Sequence, residues 1–416
     1  MLAMGWSTCG AQSLEECRQA AQRNYPLIKQ YGLIEQTTEL TLSNIHKGWL
    51  PQVTASAQAT LQSDVVSWPE QMQGMYQQLG LDMKGLKKDQ YRVGLDVQQT
   101  VYDGGTISSQ KEVTRRQADV QQAQTDVSLY QIRSRVDEMY FGLLLLDEQI
   151  ALNSDLQELL AANERKLSSM FEHGTAAQSD YLSVKAERLS VAQQATSLQA
   201  QRRALARMLS AFCSLEVTNV VKPAMPATSQ TGVTNRPELR VIDARLRLAD
   251  ARERALDAAL RPLLTAFAQG YYGYPGYNMF EDMVSHRWSW NAMIGLKLSW
   301  NIGALYTRKN DKAALQLQRS MAETDRDVFL FNNNLEQMQH SDNIARHRQL
   351  MADDEQIIEL RSQVRKAAES KLAHGIIDVN DLLREINNEN AARLQQSLHE
   401  IEMLKEAYAW QVAYGM

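Results

Sequence analysis

Few residues in this chain are spaced for chemistry. His340 and His347 stand seven apart, on one side of a helix, but no acid completes a metal-ligand set with them. "DDE" at Asp353 reads as a solvated helix face, and neither a phosphate-binding loop nor a nucleophile motif occurs. No enzymatic activity, metal or cofactor is expected. The remaining candidates lie at two related turns, "HGTAAQSDYL" from His173 and "HGIIDVNDLL" from His374. In each, Gly174 or Gly375 serves as a helix C-terminal cap. Ala177 or Asp378 then opens the next helix, with Asp180 or Asp381 three residues further on. An acid in a first helical turn gains ~0.3 to 1 kcal/mol from the helix dipole, and Asp378 with Asp381 resembles a capping box.

The cysteines point to a compartment more than to a reaction. "MLAMGWSTCGAQ" resembles the tail of an export signal over residues 1–11, with small residues at Cys9 and Ala11 but no basic start. Lipid attachment at Cys9 is the alternative. Cys17 and Cys213 are too few for a disulfide framework and read as buried apolar residues. A net charge of −5 over 416 residues, mixed in sign along the chain, argues against nucleic-acid binding. No apolar run approaches the ~18 residues of a membrane helix. With 8 Pro and 20 Gly, the ordered elements must be few and long.

The sequence is built twice. "NYPL" at Asn24 returns as "NRPE" at Asn235, and "WLPQVTASA" returns as "LRPLLTAFA", both 211 residues on. "VGLDV" from Val93 returns as "IGLKL" from Ile294, and the two "HG" turns match, at an offset of 201. Two repeats, 12–216 and 236–416, are therefore joined by a Pro-, Ser- and Thr-rich linker, 217–235.

Each repeat contains two stretches of period two, which only a strand can use. They cover about 50–62 and 90–102, then 262–274 and 288–301. Val53, Ala55, Ala57, Ala59 and Leu61 alternate with Gln, Thr and Ser. Trp288, Trp290, Ala292, Ile294, Leu296, Leu298 and Trp300 share a face, with Met293 the exception opposite; Leu263 and Phe267 also fall on the face that should be polar. Thirteen residues at ~3.3 Å, tilted near 45°, match a bilayer, and Trp at both ends of an apolar face favours lipid over an ordinary half-wet sheet. Four strands cannot close a barrel, and open edges in lipid leave backbone groups unpaired, so several chains must share one. Residues 63–90 and 273–287 are the expected outer turns. Gly104 and Gly105 in "YDGG", and Gly303 in "WNIGAL", mark the turns from strand to helix.

The remainder is helical. From about Ser108 to Phe171 and from about Leu305 to Leu372 no Pro intervenes, so each stretch reaches about 100 Å at 1.5 Å per residue. Leu350, Ile357 and Val364, with Leu360 and Ala367 between them, form a coiled-coil seam; Leu394, Leu398, Ile401 and Tyr408 repeat the spacing.

The order strand, loop, strand, long helix, turn, helix, occurring twice, resembles the TolC family of outer-membrane efflux and secretion channels. The resemblance is carried by "LEECRQAAQRNYP", "LPQV", "YDGG", "WNIGAL" and the two HG turns, in order and duplicated. It implies a mainly α fold with membrane β: a long coiled-coil helical barrel plus four transmembrane strands per chain. In that fold a homotrimer supplies a 12-stranded β-barrel in outer-membrane lipid and a 12-helix tunnel through the periplasm of a Gram-negative bacterium. It further implies a periplasmic adaptor protein and an inner-membrane transporter as partners. Adaptor-contacting tips would fall at His173, Gly174, Asp180, His374 and Gly375, with a periplasmic gate at Asp381 and Asp378. Familiar members carry a second acid where this chain has Arg384. Trp288, Trp290 and Trp300 would form an aromatic girdle. A soluble coiled-coil scaffold or an adaptor is the alternative; an adaptor would show one hairpin where this chain has two.

Overall fold

The computed structural model describes residues 11–80, 85–227 and 234–416, so Cys9 and nearly all of the expected signal remnant lie outside the described residues. The helices are α1 (Leu14–Asn24), α2 (Lys29–His46), α3 (Glu70–Gln78), α4 (Thr106–Glu172), α5 (Gln178–Cys213), α6 (Pro237–Ala259), α7 (Met279–Ser285), α8 (Leu305–Ala373) and α9 (Val379–Tyr414). The strands are β1 (Gln52–Leu61), β2 (Asp89–Tyr102), β3 (Leu263–Tyr274) and β4 (Ser289–Ser299), each within two residues of its expected bounds. Neither long helix contains Pro, and α8 contains no Gly, which is why 67 and 69 residues run unbroken. Among the described residues no helix is long and apolar enough to cross a membrane.

Two compact units divide the chain, and each draws on both sequence repeats. One comprises Ile34–Val120 and Ala244–Ala322 and holds an antiparallel sheet in the order β1-β2-β3-β4. Residues directly opposite in such a sheet share a face. Val53 faces Val97, Val97 faces Ala268, and Ala268 faces Ile294, so one apolar face crosses the four strands. Ser56 opposite Gly94, Asp96 opposite Gln269, and Thr265 opposite Lys297 make the other face polar. The misplaced Phe267, and Tyr271 on the same face of β3, have a reason visible only in the register. Phe267 lies opposite Gly295 and Tyr271 opposite Gly94, and a Cβ on either glycine would come within 2.8 Å of the side chain across from it. Each aromatic covers a glycine that has no side chain of its own.

The other unit comprises the described residues among 1–33 together with Gln121–Asp243 and Glu323–Met416. α1, α4, α5 and α9 bury Leu14, Tyr140, Phe141, Leu209 and Leu404 in one core; Leu160, Leu167, Val184, Leu382 and Ile386 form a second beside the turns. Residues 217–221, expected as linker, are docked instead. Val217 is buried, and Tyr140 donates its hydroxyl to the Val221 carbonyl at 2.7 Å.

The expected apolar seam of α8 is not the face that packs against its own chain. Ile357, Leu360 and Val364 are exposed, whereas α8 turns Ile344, His347, Asp354 and Ala368 inward against its own chain. That inward face mixes polar and apolar residues, so a search for apolar heptads passes over it. Arg365 pairs with Glu389 across α8 and α9, and Arg188 with Glu164 across α5 and α4. The repeat offset superposes Glu164 on Arg365 and Arg188 on Glu389, so the interhelical ion pair recurs with its charges exchanged. Burial pushes the Glu389 carboxyl up, but hydrogen bonds from Arg393 and Arg365 outweigh it and hold the group below its ordinary 4.5. A carboxyl depressed in the folded state stabilises above its unfolded pKa, and that contribution is lost as pH falls through the folded value. Glu389→Gln should therefore cost roughly 1 to 3 kcal/mol at neutral pH, and melting curves should converge with wild type as the pH falls below 4.5. A constant gap between the two proteins across that range would contradict the assignment.

Candidate functional site

The sheet presents its apolar face outward. Trp290, Ile294, Leu296 and Leu298 are between 70 % and 84 % exposed, far beyond what a sheet packed on its own core would leave. At one end Trp288 stacks on Tyr91 with ring centroids 6.0 Å apart, and Tyr272 packs on Trp290 at 5.1 Å. At the other end Trp300 donates its indole N–H to the Leu260 carbonyl at 2.9 Å. From Trp290 to Trp300, ten residues at ~3.3 Å and a tilt near 45° give about 23 Å, close to the ~25 Å apolar band of a membrane barrel. The opposite face carries Asp96, which accepts from Gln269 at 2.6 Å, and Arg92, which donates to Gln58 at 3.0 Å. Residues 63–90 and 273–287 each contain a short helix, α3 or α7, and meet through Trp68 and Phe280 at 5.5 Å.

The two strand-to-helix joins are built differently. Gly104 and Gly105 are left-handed, with φ of 67° and 90°, and a Cβ on Gly104 would lie 2.7 Å from the Arg261 side chain. Asp103, which sequence reasoning missed, is the anchor. Its carboxylate accepts the N–H groups of Gly105 at 2.8 Å and Ile107 at 2.6 Å, capping α4. At the second join Ile302 takes the place of Gly104, and a side chain there resists left-handed backbone. The chain instead makes a 3-10 turn over Ile302–Ala304, and Gly303 has no left-handed geometry that would require glycine.

Both tips end their long helices alike. Gly174 and Gly375, at φ 70° and 71°, occupy the left-handed position, and Thr175 and Ile376 donate back to Met170 and Lys371 at 2.8 and 2.9 Å. This is the Schellman arrangement. His173 and His374 each turn a ring nitrogen to the carbonyl four residues earlier, at 2.6 and 2.8 Å. Asp378 caps α9 by accepting the Asp381 N–H at 2.9 Å. The box is not reciprocal, because the Asp381 carboxylate accepts from Arg384 at 2.8 Å instead. Asp180 has no such arginine, and Ala177 offers no side-chain cap. The paired structure beneath the tips is continuous, with Asn387 donating to Glu187 at 3.0 Å between the two hairpins.

Three histidines of α8 and α9 each find an acid. His340 pairs with Glu406 at 2.6 Å, His347 lies 3.5 Å from Glu402, and His399 bonds Asp354 at 2.6 Å. Asp354 is thus buried, not part of a solvated "DDE" face, because the facing helix α9 supplies its partner. Burial outweighs the nearby Glu402 and holds the His347 imidazole below its ordinary range. Among the described residues no three His, Cys, Asp or Glu side chains gather as a metal site.

Residues 42–211 match the outer membrane efflux protein family. No curated protein sequence matches. Among solved structures, the outer-membrane channel OprN is 16% identical, covering 97% of this chain and 89% of its own, with a TM-score of 0.67. The outer membrane protein VceC of Vibrio cholerae is 13% identical over 97% of this chain and 96% of its own, with a TM-score of 0.67. The CmeC outer membrane channel of Campylobacter jejuni is 13% identical over 99% and 90%, with a TM-score of 0.65. The chain has the fold of TolC-like outer-membrane channels, and the resemblance seen in its sequence is borne out.

The joins supply a direct comparison. Gly104→Ala should destabilise the protein by about 1 to 3 kcal/mol, whereas Gly303→Ala should shift the melting temperature little. Equal losses at the two positions would remove the distinction between them.

Proposed function

We propose that three copies of this chain form the outer-membrane duct of a tripartite efflux pump or type I secretion system. Substrates would pass from an inner-membrane transporter through the periplasm and the outer membrane of a Gram-negative cell. The observation that carries this reading is the sheet: four strands with an exposed apolar face, aromatic at both ends, and polar on the other side. A sheet of this kind is unstable in water as a wet surface and in lipid as an open one. Closing it with the sheets of further copies meets both demands, and twelve strands suit a membrane barrel with a polar lumen. The stripe of Leu317, Met321, Val328, Phe331 and Leu335, exposed on α8, fits the same association of helices between copies. A soluble scaffold would have no use for that outward Trp and Leu face.

In this reading the tips around His173, Gly174, Asp180, His374 and Gly375 meet a periplasmic adaptor protein, and Asp381 with Asp378 narrows the duct. Arg384 tempers the Asp381 charge within each copy. Like charges gathered around one axis attract cations, an effect that salt screens.

The reading predicts recovery from the outer membrane as a detergent-stable trimer, with residues 63–90 and 273–287 labelled first on intact cells. A soluble monomer after gentle lysis would contradict it. In planar bilayers, Asp381→Asn should weaken block by multivalent cations and Arg384→Ala should strengthen it. If neither variant alters block while Asp381→Asn lowers thermal stability, the aspartate only serves the helix end.

A further inference from the structure

Cys17 and Cys213, 196 residues apart in sequence, meet in the core of the helical unit. Both are fully buried, among Leu14, Tyr140, Leu209 and Val217. Cys213 ends α5, and Ser214 beyond it turns into left-handed backbone at φ 52°. α1 holds that helix end twice. Asn24 donates its side-chain amide to the Cys213 carbonyl at 2.9 Å, and the Cys213 thiol donates to the Cys17 carbonyl at 3.4 Å. Each thiol is the largest influence on the other, pushing Cys17 up and Cys213 down. The Cys213 sulfur thus lies against Cys17 itself, inside one core, and a disulfide asks the two sulfurs to close to ~2.05 Å.

We propose that Cys17 and Cys213 form a disulfide in the exported protein, closed during folding and then sealed in the core. The inference rests on the proposed outer-membrane function, because thiols stay reduced in a cytosol and are oxidised in a periplasm. One cysteine thiolate attacks the disulfide of a thiol–disulfide oxidoreductase, giving a mixed disulfide; the second thiolate displaces the enzyme sulfur and forms the internal S–S bond. The oxidoreductase leaves as a dithiol, having taken up the two electrons and two protons of the cysteines. Burial fixes the order of events. Neither sulfur is reachable once α1 has docked, so oxidation precedes docking, and the closed bond is afterwards shielded from reductant. The bond ties the N-terminal helix to the far end of the first hairpin's return helix.

The test uses full-length protein from isolated envelopes, fractionated and then denatured in excess maleimide with and without prior reduction. Without reduction, Cys17 and Cys213 should take no label, and the digest should contain their two peptides joined, lighter by two hydrogens than their sum. After reduction each should take one label, and in a host lacking the periplasmic thiol oxidant both should label directly. Reductant should lower the melting temperature of the wild type but not of the Cys17→Ala, Cys213→Ala double variant, which separates a covalent staple from simple burial. Full labelling of both cysteines in unreduced outer-membrane protein would overturn the disulfide and leave the channel reading intact. Recovery in the cytosol with free thiols would overturn both.

Discussion

An antiparallel sheet needs a partner at each edge, and in lipid no water can stand in for one. Among the described residues the outer edges of β1 and β4 have no partner strand, while the face between them is apolar across the four strands. Much of the remaining structure answers to that condition. In the proposed duct the aromatic ends would set the depth of the sheet and the polar face would line the lumen, while the turns after Asp103 and at Ile302–Ala304 lead β2 and β4 into the long helices. If copies share the sheet as proposed, their helices must also associate, and the exposed apolar stripe of α8 is available for this.

The helices divide their interactions by chemistry. Contacts within the chain use many polar groups, including Arg18 with Asp137, Arg365 with Glu389, and His399 with Asp354, all buried or nearly so. Such pairs are poor sources of net stability, since desolvation offsets much of their attraction. They do fix which helix faces which, and the exchanged charges of Glu164–Arg188 and Arg365–Glu389 distinguish the two hairpins from one another. Apolar residues such as Ile357, Leu360 and Val364 are thereby left on the outer faces.

Period and punctuation made the strands, the long helices and the two tips legible in the sequence, because alternation and the absence of Pro act locally. What stayed hidden depends on a partner far along the chain. Phe267 looked misplaced until the register set it over Gly295. Asp354 looked solvated until α9 brought His399 to it, and the inward face of α8 escaped the heptad search because His347 and Asp354 interrupt its apolar residues. Asp103 was passed over beside two conspicuous glycines, although an acid just before a helix is a recognisable cap. The bond from Arg384 to Asp381 was readable in principle from i,i+3 spacing.

The central claim is that one face of the sheet meets lipid and the other meets water. Spin labels placed singly from Ala292 to Leu298 in the reconstituted protein test it, with collision rates measured against oxygen, which partitions into lipid, and a water-soluble nickel chelate. Oxygen contact should peak at Ala292, Ile294, Leu296 and Leu298, and chelate contact at Met293, Gly295 and Lys297. Loss of the alternation, or its reversal, would contradict the account.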